Sequence, residues 1–259
     1  MYTICVKYIV ILLILLATAY IFVFRQAIAP NVSDSPNITP TTSESQPTPP
    51  QASMKTVDQY TYEIIPLADR TLDLYSNLDQ KLTSSALFAK FDCIAATSGG
   101  FYDESDQHIG LFVSEQQLVR SSITHDLFIG YISSRNGKSI QISREQPSDD
   151  VLWALQSGPI VWDSGATTIN MKSDENARRI IAAVDEVGGG YLISITVQDS
   201  EYSGPPMMQI PQILEKIQAK ENLHFSMALN LDGGFHSFFK SSTVNQSSLA
   251  TPGSILCVK

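Results

Sequence analysis

Residues 225–234 read FSMALNLDGG, and the fold turns on how this stretch is taken. A short apolar run stopped by a glycine pair reads as a β-strand arriving at the end of a sheet. With a side-chain period of two, Asn230 and Asp232 fall on one face, and Gly233-Gly234 clears space beside the carboxylate. An Asn-x-Asp pair on an otherwise apolar strand end is costly unless satisfied, which favours a functional role over simple packing.

Eight more β-rich runs surround it: YTYEII (60–65), LFAKFDCIAAT (87–97), LFIGYIS (127–133), SIQIS (139–143), IVW (160–162), IIAAV (180–184), YLISITV (191–197) and SILCV (254–258). Asn136-Gly137, between two of these runs, is a type I′ hairpin signal. In QIPQILEKIQAK (209–220), Ile210, Ile213, Leu214 and Ile217 recur at i, i+3, i+4 and i+7 with Pro211 near the first turn. That spacing predicts a helix of about three turns with one face on a sheet. DDVLWALQ (149–156) reads as a second short helix opened by an acidic cap. The class is α+β, with a mixed, mostly antiparallel sheet and few packed helices.

One N-terminal transmembrane helix is expected before this domain. YIVILLILLATAYIFVF (8–24) is an uncharged run of seventeen residues between Lys7 and Arg25. As a helix it would cover roughly 25 Å, at the short end of a membrane span. A signal anchor with the remaining chain outside is the expectation, and Ala17-Thr18-Ala19 offers a signal-peptidase site as the alternative. Residues 30–56 hold six of the thirteen prolines among Ser, Thr and Gln, the composition of a solvated tether. The organisation is therefore 1–29 membrane segment, 30–56 tether, 57–259 folded domain.

The full chain of 259 residues carries 17 bases against 26 acids, a net charge of −9. Lys7 and Arg25 are the only charges in the first thirty residues, so the remainder holds 15 bases against all 26 acids, a balance of −11. Nucleic acid is thereby excluded as a natural partner. The three cysteines build no disulfide framework or zinc site. Export would permit a Cys93–Cys257 disulfide, but spacing alone does not make their strands neighbours, and two buried free thiols are expected.

No GxSxG elbow, HExxH or P-loop is present, and His108, His125, His224 and His236 are scattered without metal-ligand spacing. Four Gly-flanked polar stretches remain. Ser98-Gly99-Gly100 follows an apolar run and leads to Tyr102, Asp103 and Glu104; paired glycines expose amide donors or simply make a tight turn. Gln156-Ser157-Gly158-Pro159 interrupts the chain before a strand and serves equally well as a loop. Arg178-Arg179 enters a buried strand, where alternation sends only one guanidinium into a cleft, fit for phosphate or for a salt bridge. The fourth is ALNLDGG itself.

SGGFYD, QSGPIV, ARRIIAAVD and ALNLDGG, in that order before a closing apolar strand, resemble the phosphodiester glycosidase family over about residues 88–258. The resemblance implies hydrolysis of a sugar joined through its anomeric carbon to a phosphodiester, freeing the sugar and leaving a phosphomonoester. Asp232 falls on the family's Asn-Leu-Asp-Gly-Gly and is the expected catalytic carboxylate; Asp103 or Glu104, which also adjoins a Gly-Gly turn, is the expected second. Arg179, helped by Arg178 and the amides of Gly99 and Gly100, would clamp the phosphate. Asn230, Gly233, Gly234, Ser157 and Ser237 fall in the same motifs. Two departures stand out: Ser98 replaces the family's Asn and loses an amide donor, and Phe235-His236 replaces small residues, with His236 a gained acid/base group or an exposed loop histidine. The surplus of Asp leaves room for calcium or magnesium. A membrane-tethered, non-catalytic module that binds wall polymers or polysaccharide is the alternative reading.

Overall fold

Residues 54–171 and 173–259 are described in a computed structural model; the membrane segment and nearly all of the tether lie outside them. In chain order the elements are β1 (Lys55–Val57), β2 (Tyr60–Pro66), β3 (Leu72–Ser76), α1 (Ser84–Lys90), β4 (Ala95–Thr97), β5 (Phe112–Ser114), β6 (Gln117–Arg120), β7 (Gly130–Ser134), β8 (Gln141–Ser143), β9 (Trp153–Ser157), β10 (Ile160–Asp163), β11 (Arg179–Asp185), β12 (Gly190–Val197), α2 (Ile210–Glu221), β13 (Phe225–Asp232), β14 (Phe239–Lys240), β15 (Asn245–Gln246) and β16 (Ser254–Val258). They form one six-stranded sheet, β1-β2-β12-β11-β13-β10, and two five-stranded sheets, β15-β14-β4-β16-β3 and β6-β5-β9-β7-β8. All pairings between these strands are antiparallel, which corrects the expectation of a mixed sheet. Among the described residues, no helix is long and apolar enough to cross a membrane.

Alternation along β11 shows how the layers are built. Ile180 and Ala182 face a core shared with Leu74, Trp153, Leu155 and Leu256 of the two smaller sheets. Ile181 and Ala183 face the other way, onto Ile210, Ile213, Leu214 and Ile217 of α2. The α2 helix thus buries the predicted stripe against the outer face of the large sheet. Each such side chain contributes about 1.5–3 kcal/mol of burial. Asn222, left-handed with φ 53°, ends the helix.

Four local expectations are corrected. The 149–156 segment is not helical: its second half becomes β9, every residue of which is buried. This strand lies between β5 and β7, and a strand covered on both faces shows an unbroken apolar run with no period to distinguish it from a buried helix. The 87–97 run divides, because the Thr83 side chain accepts from Ala86 N at 3.3 Å and caps α1, leaving only Ala95–Thr97 as strand. Asn136-Gly137 does lie in the β7–β8 hairpin, but only Gly137 has a positive φ, so the turn is not type I′. Cys93 and Cys257 form a disulfide, against the expected free thiols: β4 and β16 are direct neighbours, placing the two Cα atoms 5.4 Å apart.

Candidate functional site

The end of β13 departs from simple alternation. Ile181 pairs with Asn230 and Ile180 with Asp232, so a bulge at Leu231 turns the two polar side chains toward opposite layers. The same-face reading of the pair is thereby corrected. Asn230 donates to Gly158 O at 2.9 Å and leaves its Oδ1 without a partner. Ser157 donates to the carbonyls of Asn230 and Leu231, at 2.8 and 3.0 Å. Ser157 and Gly158 thus brace the bulge from the β9–β10 turn.

Asp232 faces the inter-sheet layer and is 4% exposed. Its Oδ1 accepts from the amides of Gly233 at 2.5 Å and Gly234 at 3.0 Å, and Ser98 Oγ lies 3.4 Å from Oδ2. Burial pushes the Asp232 carboxyl above its ordinary range, while the two amides, Arg178 and His236 pull it back. Gly233 is required by packing: a Cβ there would stand 2.1 Å from the Arg178 carbonyl oxygen.

The two arginines diverge. Arg178 is buried, with Nε 3.1 Å from Ser237 Oγ, Nη1 2.8 Å from Glu201 O, and Nη2 donating to Ser237 O and, at 3.2 Å, to Ser247 O. Among the described residues no carboxylate lies within ion-pair distance of it. Burial brings its pKa down to about 10, opposed first by the charge of Asp232. Arg179 instead pairs with Asp174 at 3.4 Å and donates to Pro205 O at 3.0 Å and to Glu175 O. Asp174 also accepts from Met207 N and Met208 N at 2.6 and 2.9 Å, so Arg179 belongs to the anchor of the turn that leads into α2.

Around Asp232 the loops converge. Ser237 donates to Gly234 O at 2.8 Å and holds the glycine loop against Arg178. His236 Nδ1 donates to Thr251 O at 2.7 Å, its Nε2 lies 3.8 Å from Asp106, and its ring centre is 5.1 Å from that of Tyr102. Asp103 and Glu104 do not join this cluster. Both are exposed, and Asp103 caps its own turn by accepting from Ser105 N and Gln107 N at 2.8 and 3.0 Å, bonds that hold its pKa low. Among the described residues, no group of three His, Cys, Asp or Glu could hold a metal ion. A cleft of about 380 Å³ opens elsewhere, between Leu111–Leu118 and Gln146–Val151, and shares no lining residue with this cluster.

Three participants are given no role by the motif reading. Tyr102 donates to Gly99 O at 2.8 Å and contacts Ser254 Oγ at 2.9 Å, and burial with the nearby Asp232 charge raises its hydroxyl pKa. Ser254 opens β16, a strand whose sequence gave only an apolar signal. His108 is buried against Tyr102 and Phe112, and desolvation lowers its pKa to about 4. The one available hint was position: Tyr102 follows the glycine pair by two residues.

Among solved structures, the chain is similar to the catalytic domain of zebrafish N-acetylglucosamine-1-phosphodiester alpha-N-acetylglucosaminidase, in a form auto-inhibited by its pro-peptide. That match has 14% identity and a TM-score of 0.55, and covers 78% of this chain and 84% of that one. A hypothetical protein from Synechocystis matches at 14% identity and a TM-score of 0.55, over 77% of this chain and 58% of its own. Likeness at such identity carries the fold. A search of curated proteins returns no match. The family model for phosphodiester glycosidase matches residues 91–253, which include Ser98, Arg178, Asp232 and Ser237, and with that span the chain belongs to the phosphodiester glycosidase family.

Proposed function

We propose that the domain hydrolyses the glycosidic bond of a sugar 1-phosphodiester on the extracytoplasmic side of a membrane, to which residues 1–29 attach it. Water adds to the anomeric carbon, the C1–O bond breaks, and the bonding pair leaves with the phosphate oxygen to give a free sugar and a phosphomonoester. The observation that carries this reading is a buried carboxyl, Asp232, within electrostatic reach of a buried guanidinium, Arg178, that forms no ion pair with any carboxylate among the described residues. A buried cation in this state is electrostatically incomplete and favours an anionic ligand. Phosphate departs as a stable anion, so the demand for a strong general acid is lighter than in ordinary glycoside hydrolysis. Asp232 then stabilises the oxocarbenium-like centre or orients water. Arg178, rather than Arg179, supplies the positive field, because Arg179 is already paired with Asp174.

The test is Asp232→Asn, assayed on a panel of sugar 1-phosphodiesters with folding followed by circular dichroism. The amide oxygen still accepts from Gly233 N and Gly234 N, so the fold persists while kcat falls by about 100-fold or more. Unchanged turnover by a folded variant refutes the assignment. Binding of phosphate-linked polymers by the native protein without release of sugar points instead to a binding module.

A further inference from the structure

Away from Asp232, the C-terminal end of α2 and the edge strand β10 enclose a hollow of about 260 Å³, with Trp162, Glu215, Gln218, Asn222, Leu223 and His224 in its lining. Residues 222–224 immediately precede β13, whereas Asp232 closes that eight-residue strand. At about 3.3 Å per residue the two places lie roughly 20 Å apart.

Gln218 supplies the first sign of a ligand. Its Oε1 accepts from Phe225 N at 2.6 Å, which fixes the side-chain amide and turns Nε2 the other way. Gln218 is 7% exposed, and among the described residues its Nε2 finds no acceptor. A buried amide donor in this state is unfavourable, and an oxygen brought by a ligand would satisfy it. Trp162 supplies the second sign. Half-buried on β10, it donates from Nε1 to Phe225 O at 2.8 Å, so its ring is held at the hollow with its polar handle already used. Only apolar ring surface remains to meet a ligand.

Glu215, Asn222 and His224 are exposed and add a carboxylate, an amide and an imidazole to the same hollow. No lysine or arginine lines it, and its one acid disfavours an anion. An aromatic surface ringed by directional donors and acceptors suits a neutral ring that is apolar on its face and hydroxylated at its edge, which is the chemistry of a pyranose. We infer that the hollow is a binding site for one neutral pyranose unit of a glycan. The ring lies against Trp162, Gln218 Nε2 donates to a sugar oxygen, and Glu215, Asn222 and His224 meet the hydroxyls. This site is separate from Asp232 and stands independently of the hydrolase reading.

Intrinsic fluorescence tests it, because the chain has two tryptophans and Trp153 is 1% exposed with Nε1 bonded to Leu72 O. Methyl glycosides of neutral hexoses and N-acetylhexosamines, added at millimolar concentrations, should shift the emission of Trp162. In Glu215→Ala/Asn222→Gly the affinity should fall at least tenfold with the urea midpoint kept, since alanine suits an exposed helix position and glycine the left-handed cap. Gln218→Glu, which keeps the acceptor for Phe225 N and replaces the Nε2 donor, should weaken binding by a similar factor. Asp232→Asn should leave binding unchanged. Absence of binding by the native protein overturns the inference, as does equal affinity in either hollow variant. Loss of binding in Asp232→Asn also overturns it, by placing the sugar at the other site. Glycoside binding that the hollow variants weaken sustains the inference in a protein that turns over no phosphodiester, and refutes neither reading of Asp232.

Discussion

Asp232 was legible because its chemistry is local: a carboxylate at a strand end followed by two glycines needs no partner to be conspicuous. The choice between Arg178 and Arg179 was not. Alternation requires one of them to face inward, but which one shares a layer with Asp232 depends on the bulge at Leu231, and that bulge is a property of pairing with β11. Tyr102 and Ser254 were hidden for the same reason, being remote in sequence and joined only when β16 pairs beside β4. His108 provides a prediction at this scale. Its pKa is about 4 in the fold against 6.5 ordinarily, because burial disfavours the imidazolium. The unfolded chain therefore takes up a proton that the native one refuses, and stability declines as pH falls from about 6.5 toward about 4. Each pH unit well inside that window costs up to about 1.4 kcal/mol. Urea midpoints between pH 7 and pH 5 should show this decline, and a His108→Leu variant, whatever its baseline, should lose that component of the slope.

Periodicity succeeds or fails element by element, according to how many faces are covered. The α2 helix lies on the surface of the large sheet with one face wet, so its spacing in sequence is clear and its observed bounds, Ile210–Glu221, differ from the predicted ones by one residue. β9 is covered on both faces and carries no period, which is why its sequence reads equally as helix. The short α1 was masked by the apolar run that follows Thr83, although the cap itself is an ordinary helix start. Because α2 packs on the face of the large sheet away from Asp232, its core can be damaged without touching the site. Leu214 is fully buried there, so Leu214→Ala should cost about 2–5 kcal/mol in urea denaturation. At temperatures where the variant remains folded, kcat should match the native value; a fall in kcat would mean that α2 positions the site through β11 and β13.

For the molecule as a whole, the sequence disclosed an acidic, β-rich domain but neither its three antiparallel sheets nor their common core, since strand order is fixed by contacts between distant segments. Within a chain of net charge −9, Arg178 is buried near Asp232 and draws that carboxyl's pKa down against the effect of burial. The Cys93–Cys257 disulfide spans a sequence separation of 164 residues and ties the approach to β4 to β16. Replacing both cysteines by alanine should lower stability by about 2–5 kcal/mol, read as a shift in urea midpoint that reductant reproduces in the native protein. β16 also has a bearing on synthesis. It pairs with β3 on one side, Ile255 opposite Tyr75, and with β4 on the other, Leu256 opposite Thr97. As the chain emerges residue by residue, β3 and the Ser98 turn must wait with open edges until residues 254–258 arrive between them. Ser254 and Cys257 come in the same five residues, so the cross-link, the sheet and the contacts of Ser254 with the Gly99 turn are completed in one late closure. A ribosome-bound chain halted before residue 254 would hold Ser98, Arg178 and Asp232 but neither the strand nor the cysteine that closes the sheet beside them.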